Sequence, residues 1–353
     1  MHTPLTDVLG ATWTLDATVN ALAWSGRQAA FALSDGSVAI ARGGWEGSPA
    51  ARLRDGGGGV ELLPAVGPPP PLARAALAPA PCLSLTSAGD DFLVGSADGV
   101  LRRVNQDGQP RKLAKFDGRP VTSVAWSKAG WACIAGGAVH MASGQALEAI
   151  IDPRALARHG GMLAIAHAGG VSLRDRGTTR LAVGGSVRRL VFSPTGGQIA
   201  IGMKIWRVGA GAPVVLNGAA GEPLDIAFSS DARLLVHAGE SGVQCWNLGP
   251  GVELDGPATP LGAVSNTPAL AVAFHPRRPL LAIAHASGAV TLGLPRAGQT
   301  LLLCPVDASP VHSLAFDASG EWLAMGGAAC ALVRLPDLLF REGARSGVRE
   351  SAA

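Results

Sequence analysis

Two histidines sit in near-identical surroundings. His167 in Ala164-Ile165-Ala166-His167-Ala168 and His285 in Ala282-Ile283-Ala284-His285-Ala286 each stand three residues before a glycine, Gly170 or Gly288. His237 lies near the end of a similar apolar run, and His312 opens another. Imidazoles that converge can ligate a metal or hold a small anion. Each can equally be satisfied by a partner within its own segment, which is the expectation for all of them. Other chemistry is missing from the residue pattern. There is no Gly-x-Ser-x-Gly elbow, and no Asp/Glu pair stands out among 26 acidic residues. Gly56-Gly57-Gly58-Gly59 is not followed by Gly-Lys-Ser/Thr, so it is not a phosphate loop. Five cysteines, Cys82, Cys133, Cys245, Cys304 and Cys330, form no C-x-x-C pair, which suits reduced, buried thiols rather than a disulfide framework or a zinc site.

What would position such residues is a repeat. A short alternating segment ends in an aromatic, then come a small turn, a second apolar segment, a glycine and a third segment. Val121-Thr122-Ser123-Val124-Ala125-Trp126-Ser127, Ala269-Leu270-Ala271-Val272-Ala273-Phe274-His275 and Val311-His312-Ser313-Leu314-Ala315-Phe316-Asp317 are clear copies. Eight copies align, anchored at Trp24, Thr86, Trp126, His159, Phe192, Phe228, Phe274 and Phe316, with Thr86 and His159 in place of the aromatic. The mean anchor spacing of about 42 residues matches one four-stranded propeller blade. Second segments such as Ala29 to Leu33 and Leu280 to Ala284 are short continuous apolar runs, as strands buried on both faces require. Asp35-Gly36, Asp98-Gly99, Gly169-Gly170, Ser241-Gly242 and Ser287-Gly288 follow them, where a tight hairpin needs φ > 0. Helical periodicity is nearly absent.

These segments resemble the WD-repeat β-propeller family from about Leu9 to Pro336, most clearly over Val121–Ser127, Val187–Pro194, Leu224–Leu248, Ala269–Leu292 and Val311–Met325. The repeats are degenerate. None carries Trp-Asp or the family's Gly-His, and at the hairpin after the second strand Asp-Gly survives only as Asp35-Gly36 and Asp98-Gly99, so the family's Asp-His-Ser-Trp chain is not assembled in any blade. The resemblance implies an all-β, single closed β-propeller of four-stranded blades. Eight blades is the direct count, and seven would result if the copy at His159 merged with its neighbour. The last copy runs out of strands at Pro336, and Gly10 to Leu15 alternates in the right way to supply the missing one, so an N-terminal strand is expected to close the last blade. The propeller is expected over residues 1–340, with an insertion in the first blade at about 43–80 whose outer strand is Val60 to Leu63, and a flexible tail over 341–353.

In the family, the narrower rim commonly receives peptides or proteins. Arg119, Arg188, Arg189, Asp225 and His312 fall there in this chain and are the expected partner-binding residues. Trp24, Trp126, Phe192, Phe228, Phe274 and Phe316 are expected to wedge the core. With 29 basic and 26 acidic residues the formal charge is only +3, which gives no field suited to a polyanion, so nucleic acid is not an expected partner. No secretory leader or apolar span is visible in the sequence, which predicts a cytoplasmic location with no membrane association. The sequence therefore predicts a non-catalytic protein-interaction scaffold with no cofactor, binding a protein or peptide and monomeric outside its complex. The alternative is a metal- or small-anion-binding propeller using His167 and His285, with weak enzymatic activity.

Overall fold

Short apolar segments joined by tight glycine turns fold back on their chain neighbours. A computed structural model shows this repeated around a ring; it describes residues 4–54, 60–147, 150–184, 187–218, 221–249, 259–261, 267–295, 299–306 and 308–337. The Gly56 to Gly59 run and the tail over 341–353 lie outside the described residues. There are eight four-stranded antiparallel sheets. Blade 1 comprises Val19–Ser25, Gln28–Leu33, Ser37–Arg42 and Ala73–Ala76; blade 2, Cys82–Ala88, Asp91–Ser96, Val100–Val104 and Pro110–Lys115. Blade 3 comprises Val121–Ser127, Gly130–Ala135, Ala138–Met141 and Ala146–Leu147; blade 4, Ala155–His159, Met162–His167, Gly170–Arg174 and Thr178–Leu181. Blade 5 comprises Leu190–Phe192, Gln198–Ile201, Lys204–Arg207 and Val214–Val215; blade 6, Asp225–Phe228, Leu234–Gly239, Gly242–Asn247 and Thr259–Leu261. Blade 7 comprises Ala269–Phe274, Leu281–His285, Val290–Leu294 and Gln299–Cys304. Blade 8 comprises Val311–Phe316, Trp322–Gly327 and Ala329–Arg334, and its fourth strand is Gly10–Thr14 from the other end of the chain.

That strand pairs from Gly10 opposite Val333 to Thr14 opposite Ala329, which closes the ring as the sequence predicts. The first strand of each blade contacts the first strand of the next, and that of blade 8 contacts that of blade 1. Eight apolar clusters fill the gaps between neighbouring blades, so the second strands are buried on both faces; Leu281–His285 and Trp322–Gly327 are buried throughout. The only helix among the described residues is Leu5–Leu9, a single turn and a half that precedes the closing strand and that the periodicity does not reveal.

Three expectations are corrected by register. The residue facing the start of the second strand is the wedge position, filled by Trp24 opposite Ala29 and Trp126 opposite Trp131. In blade 2 that position holds Ser87, opposite Phe92, and not Thr86; in blade 4 it holds Arg158, opposite Leu163, and not His159. Neither residue is aromatic, so a search for aromatics slips by one. In the third case, Val60–Leu63 is not the outer strand of blade 1. It pairs with Ala50–Leu53 as a separate hairpin, and Ala73–Ala76 takes the outer place. The insertion lies across the closure seam: Trp13 Nε1 donates to the Pro70 carbonyl at 3.0 Å, Arg334 Nη1 donates to the Pro49 carbonyl at 2.6 Å, and Trp45 stacks between Trp13 and Trp322.

The narrow rim is fixed by backbone pressed on glycine. Gly288, at φ +88°, turns blade 7 between its second and third strands, and a Cβ there would lie 1.8 Å from the Ala308 carbonyl oxygen in the segment leading to blade 8. Gly36 plays the same part, with the Ala78 oxygen at 1.9 Å from a Cβ. Only glycine permits both the left-handed φ and the close approach. In blades 1 and 7 this contact seats the segment leading to the next blade on the turn.

Candidate functional site

All first strands run in the same direction around the ring, so residues at their leading ends share one rim. Arg119 precedes blade 3, Arg188 and Arg189 precede blade 5, Asp225 begins blade 6, and His312 is the second residue of blade 8. The structure brings Arg189 and Asp225 into electrostatic reach of one another. Arg119 and His312 stand two blades away on either side, so the five do not form one cluster. Arg119 lies over the turn of blade 3, where a Cβ on Gly136 would meet its Cδ at 2.2 Å. His312 is the bulged residue where the register shifts between Val311 and Ser313, and it is exposed.

Asp225 is held from two sides. Its Oδ2 accepts from the Val272 amide of blade 7 at 3.0 Å, and its Oδ1 accepts from the Ile226 amide at 3.0 Å. Burial outweighs these bonds and the field of Arg189 and raises the carboxyl above its ordinary pKa. Arg188 and Arg189 are exposed. Lys204, missed by the sequence reading, begins the third strand of blade 5 and approaches the leading segment at Gly184. It falls at the turn that shares this rim, a placement visible only once the blades are registered. Among the described residues Arg188 and Lys204 have no ion-pair partner. The result is a cationic patch beside one half-buried, fixed carboxyl.

The histidines behave locally. His167 Nε2 lies 2.9 Å from Ser172 Oγ on the next strand of blade 4, and its Nδ1 accepts from the Gly169 amide at 3.1 Å. His285 Nε2 lies 3.3 Å from Thr291 Oγ1 in blade 7. Burial, joined at His167 by the field of Arg180, lowers both pKa values. The two residues are three blades apart, each on a hydroxyl of its own blade. Among the described residues no three His, Cys, Asp or Glu side chains group as a metal site would need.

His237 differs. The position it fills is occupied in the other seven blades by Phe31, Val94, Cys133, Ile165, Ile201, Ile283 and Met325. It is 4% exposed, packs edge-on against Trp246 at 4.7 Å, and has no hydrogen-bond partner for either ring nitrogen among the described residues. Burial lowers its pKa to about 4. Arg158 is a second polar intruder: where Trp24 donates to the Ala315 carbonyl of the preceding blade at 2.9 Å, Arg158 donates from the same place to Ser127 Oγ. The cysteine expectation fits the burial found: Cys82, Cys133 and Cys330 are buried and their thiols pushed up to about 11, 12 and 12.

No family model matches the chain, and no curated protein is significantly similar to it. Solved structures are. The computationally designed Ika8 protein superposes with a TM-score of 0.68 at 18% identity, covering 93% of this chain and 99% of that one. The C-terminal WD40 domain of Sif2 gives 0.65 at 16% identity, with 92% and 99% covered. A chain of the Mitotic Checkpoint Complex gives 0.57 at 15% identity, with 96% and 98% covered. The chain has the WD-repeat β-propeller fold. At these identities the likeness carries architecture alone. Among the described residues no helix is long and apolar enough to cross a membrane.

Proposed function

We propose that this WD-repeat propeller is a non-catalytic protein-interaction scaffold whose narrow rim at blades 5 and 6 receives an acidic segment of a protein partner. The observation that carries this reading is the cationic group of exposed Arg188 and half-buried Lys204, neither with an ion-pair partner among the described residues, with Arg189 beside it, on a rim stiffened by the Asp225 bond between blades 6 and 7. A guanidinium presents a planar fork that pairs bidentately with carboxylates, and a rigid rim loses little entropy when it binds. Arg119 and His312 would extend the contact on either side. Membership of one fold neighbour in a multiprotein complex is consistent with such a role. A metal at His167 and His285 is not favoured, because each imidazole already has a hydroxyl in its own blade.

The test is affinity capture from the native cell with mass spectrometry, comparing the wild type, the double variant Arg188→Glu/Arg189→Glu, and Lys112→Glu on the outer strand of blade 2 as a charge control. A partner retained by the wild type and the control but lost by the double variant supports the rim. A partner list unchanged in the double variant removes it.

A further inference from the structure

We propose that the cleft between blades 3 and 4 is a binding site for a small amphipathic organic anion, its oxyanion head held by Arg174 and Arg180 and its apolar body resting on Leu147 and Ile150. The cleft has a volume of about 570 Å³, within the roughly 300–1,000 Å³ of small-molecule pockets.

Register explains the lining. In blade 4, Ser172 faces Arg180 and Arg174 faces Thr178 across adjacent strands, so all four side chains stand on one face. The same register places Ile165 opposite Ser172 and Leu163 opposite Arg174, on the face that packs against blade 3. The two arginines occupy one diagonal and the two hydroxyls the other, close enough for one oxyanion to bridge the guanidiniums.

Two local features shape this gap. Arg174 stands opposite Leu163, at the position held by Trp206 and Trp246 in the next two blades and by Ala41, Val104, Gly293 and Val333 in blades 1, 2, 7 and 8. In blades 5 and 6 the indole fills the space between blades; in blade 4 a cation lines it. In addition, among the described residues the outer strand of blade 3 is Ala146–Leu147, as short as that of blade 5 and shorter than the six residues of blades 2 and 7, and the outer strand of blade 4 is exposed at Thr178, Thr179 and Arg180.

Charge indicates what belongs in the cleft. Three strand arginines of blades 2 and 8 are neutralised within the fold: Arg102 by Asp98, Arg103 by Asp91 and Arg334 by Glu321. Arg174 is half-buried and Arg180 exposed, and neither has an ion-pair or hydrogen-bond partner among the described residues. Two guanidiniums with no ion-pair partner among the described residues, facing an apolar wall, fit a carboxylate or phosphate carried on a short apolar group. This site is separate from the rim and does not depend on the reading of it.

Calorimetric titration of the full chain at low salt, with phenyl phosphate, benzoate and phenol as probes, tests the assignment. Saturable one-to-one binding of an anion is expected, with phenol about tenfold weaker or more, and the tighter of the two anions identifies the head group. Arg180→Gln, at an exposed position, should weaken binding about tenfold, and Arg174→Trp, which installs the indole found in blades 5 and 6, should abolish it while the melting temperature holds. Phenol binding as tightly as the anions, no saturable binding by either anion, or an Arg180→Gln variant that binds like the wild type would each overturn the proposal.

Discussion

Blades 7, 8, 1, 2 and 3 obey the repeat more closely than blades 4, 5 and 6. In the first arc every opening strand carries the same register shift near its start. In the second arc the opening strands are five, three and four residues long, and their pairings show no shift. The second arc also places Arg158 at a wedge position, His237 at a core position and Arg174 at an indole position, and it holds Arg188, Arg189 and Asp225 on the rim. Local rules are broken together where a fold does something besides hold its shape. The regular arc shows what closure requires, and the irregular arc shows how far a blade can depart from it while the ring still closes.

The largest effect expected from this contrast is at the wedges. Trp24→Ala should cost about 3–4 kcal/mol in denaturant unfolding, because it removes an indole packed between blades 8 and 1 together with its bond to Ala315. Arg158→Met at the equivalent place should change stability by less than about 1 kcal/mol or raise it, since burial penalises the guanidinium. Equal losses from the two substitutions would erase the distinction between arcs.

Acid should reveal His237 next. Its folded-state pKa of about 4 lies below the ordinary 6.5, so the unfolded chain binds the proton first. Stability is therefore lost as pH falls from about 6.5 toward 4 and the loss levels off below that, reaching about 3 kcal/mol. His237→Ile, which installs the residue found in blades 4, 5 and 7, should flatten that part of the pH profile and stabilise the protein at pH 5. An unchanged slope in the variant would show that the imidazole is not buried neutral.

A smaller difference is expected at the rim turns. Gly288→Ala in blade 7 forces a Cβ to within 1.8 Å of the Ala308 oxygen and should cost more than about 2 kcal/mol, whereas Gly202→Ala in blade 5, at φ +52° with nothing within 4 Å of the added carbon, should cost about 1 kcal/mol. Matching melting temperatures for the two variants would mean that the leading segments are as tightly seated in the irregular arc as in the regular one.

The blade count, the closing strand and the glycine turns were legible in the sequence because each rests on local spacing: Gly10 to Thr14 alternates like a strand wherever its partner lies. Ser87 and Arg158 were not legible as wedges, since a motif search needs the aromatic that both lack. Ala73–Ala76 could not be told from Val60–Leu63 as the outer strand, because both are four-residue segments and only pairing with Ser37–Arg42 decides. At the rim, Arg188, Arg189 and Asp225 could be placed from strand order, while Lys204 needed the neighbouring turn. Arg174 was invisible as a cleft-lining residue because only the register of the blades shows that it stands where Trp206 and Trp246 stand one and two blades on.

The central claim, that binding sits on the irregular arc, is met most directly by hydrogen–deuterium exchange of the propeller with and without its captured partner. Protection confined to the segments around 187–189, 202–204 and 224–226 is the predicted result. Protection centred on the leading ends of blades 1, 2 or 7, with those segments unchanged, would contradict it.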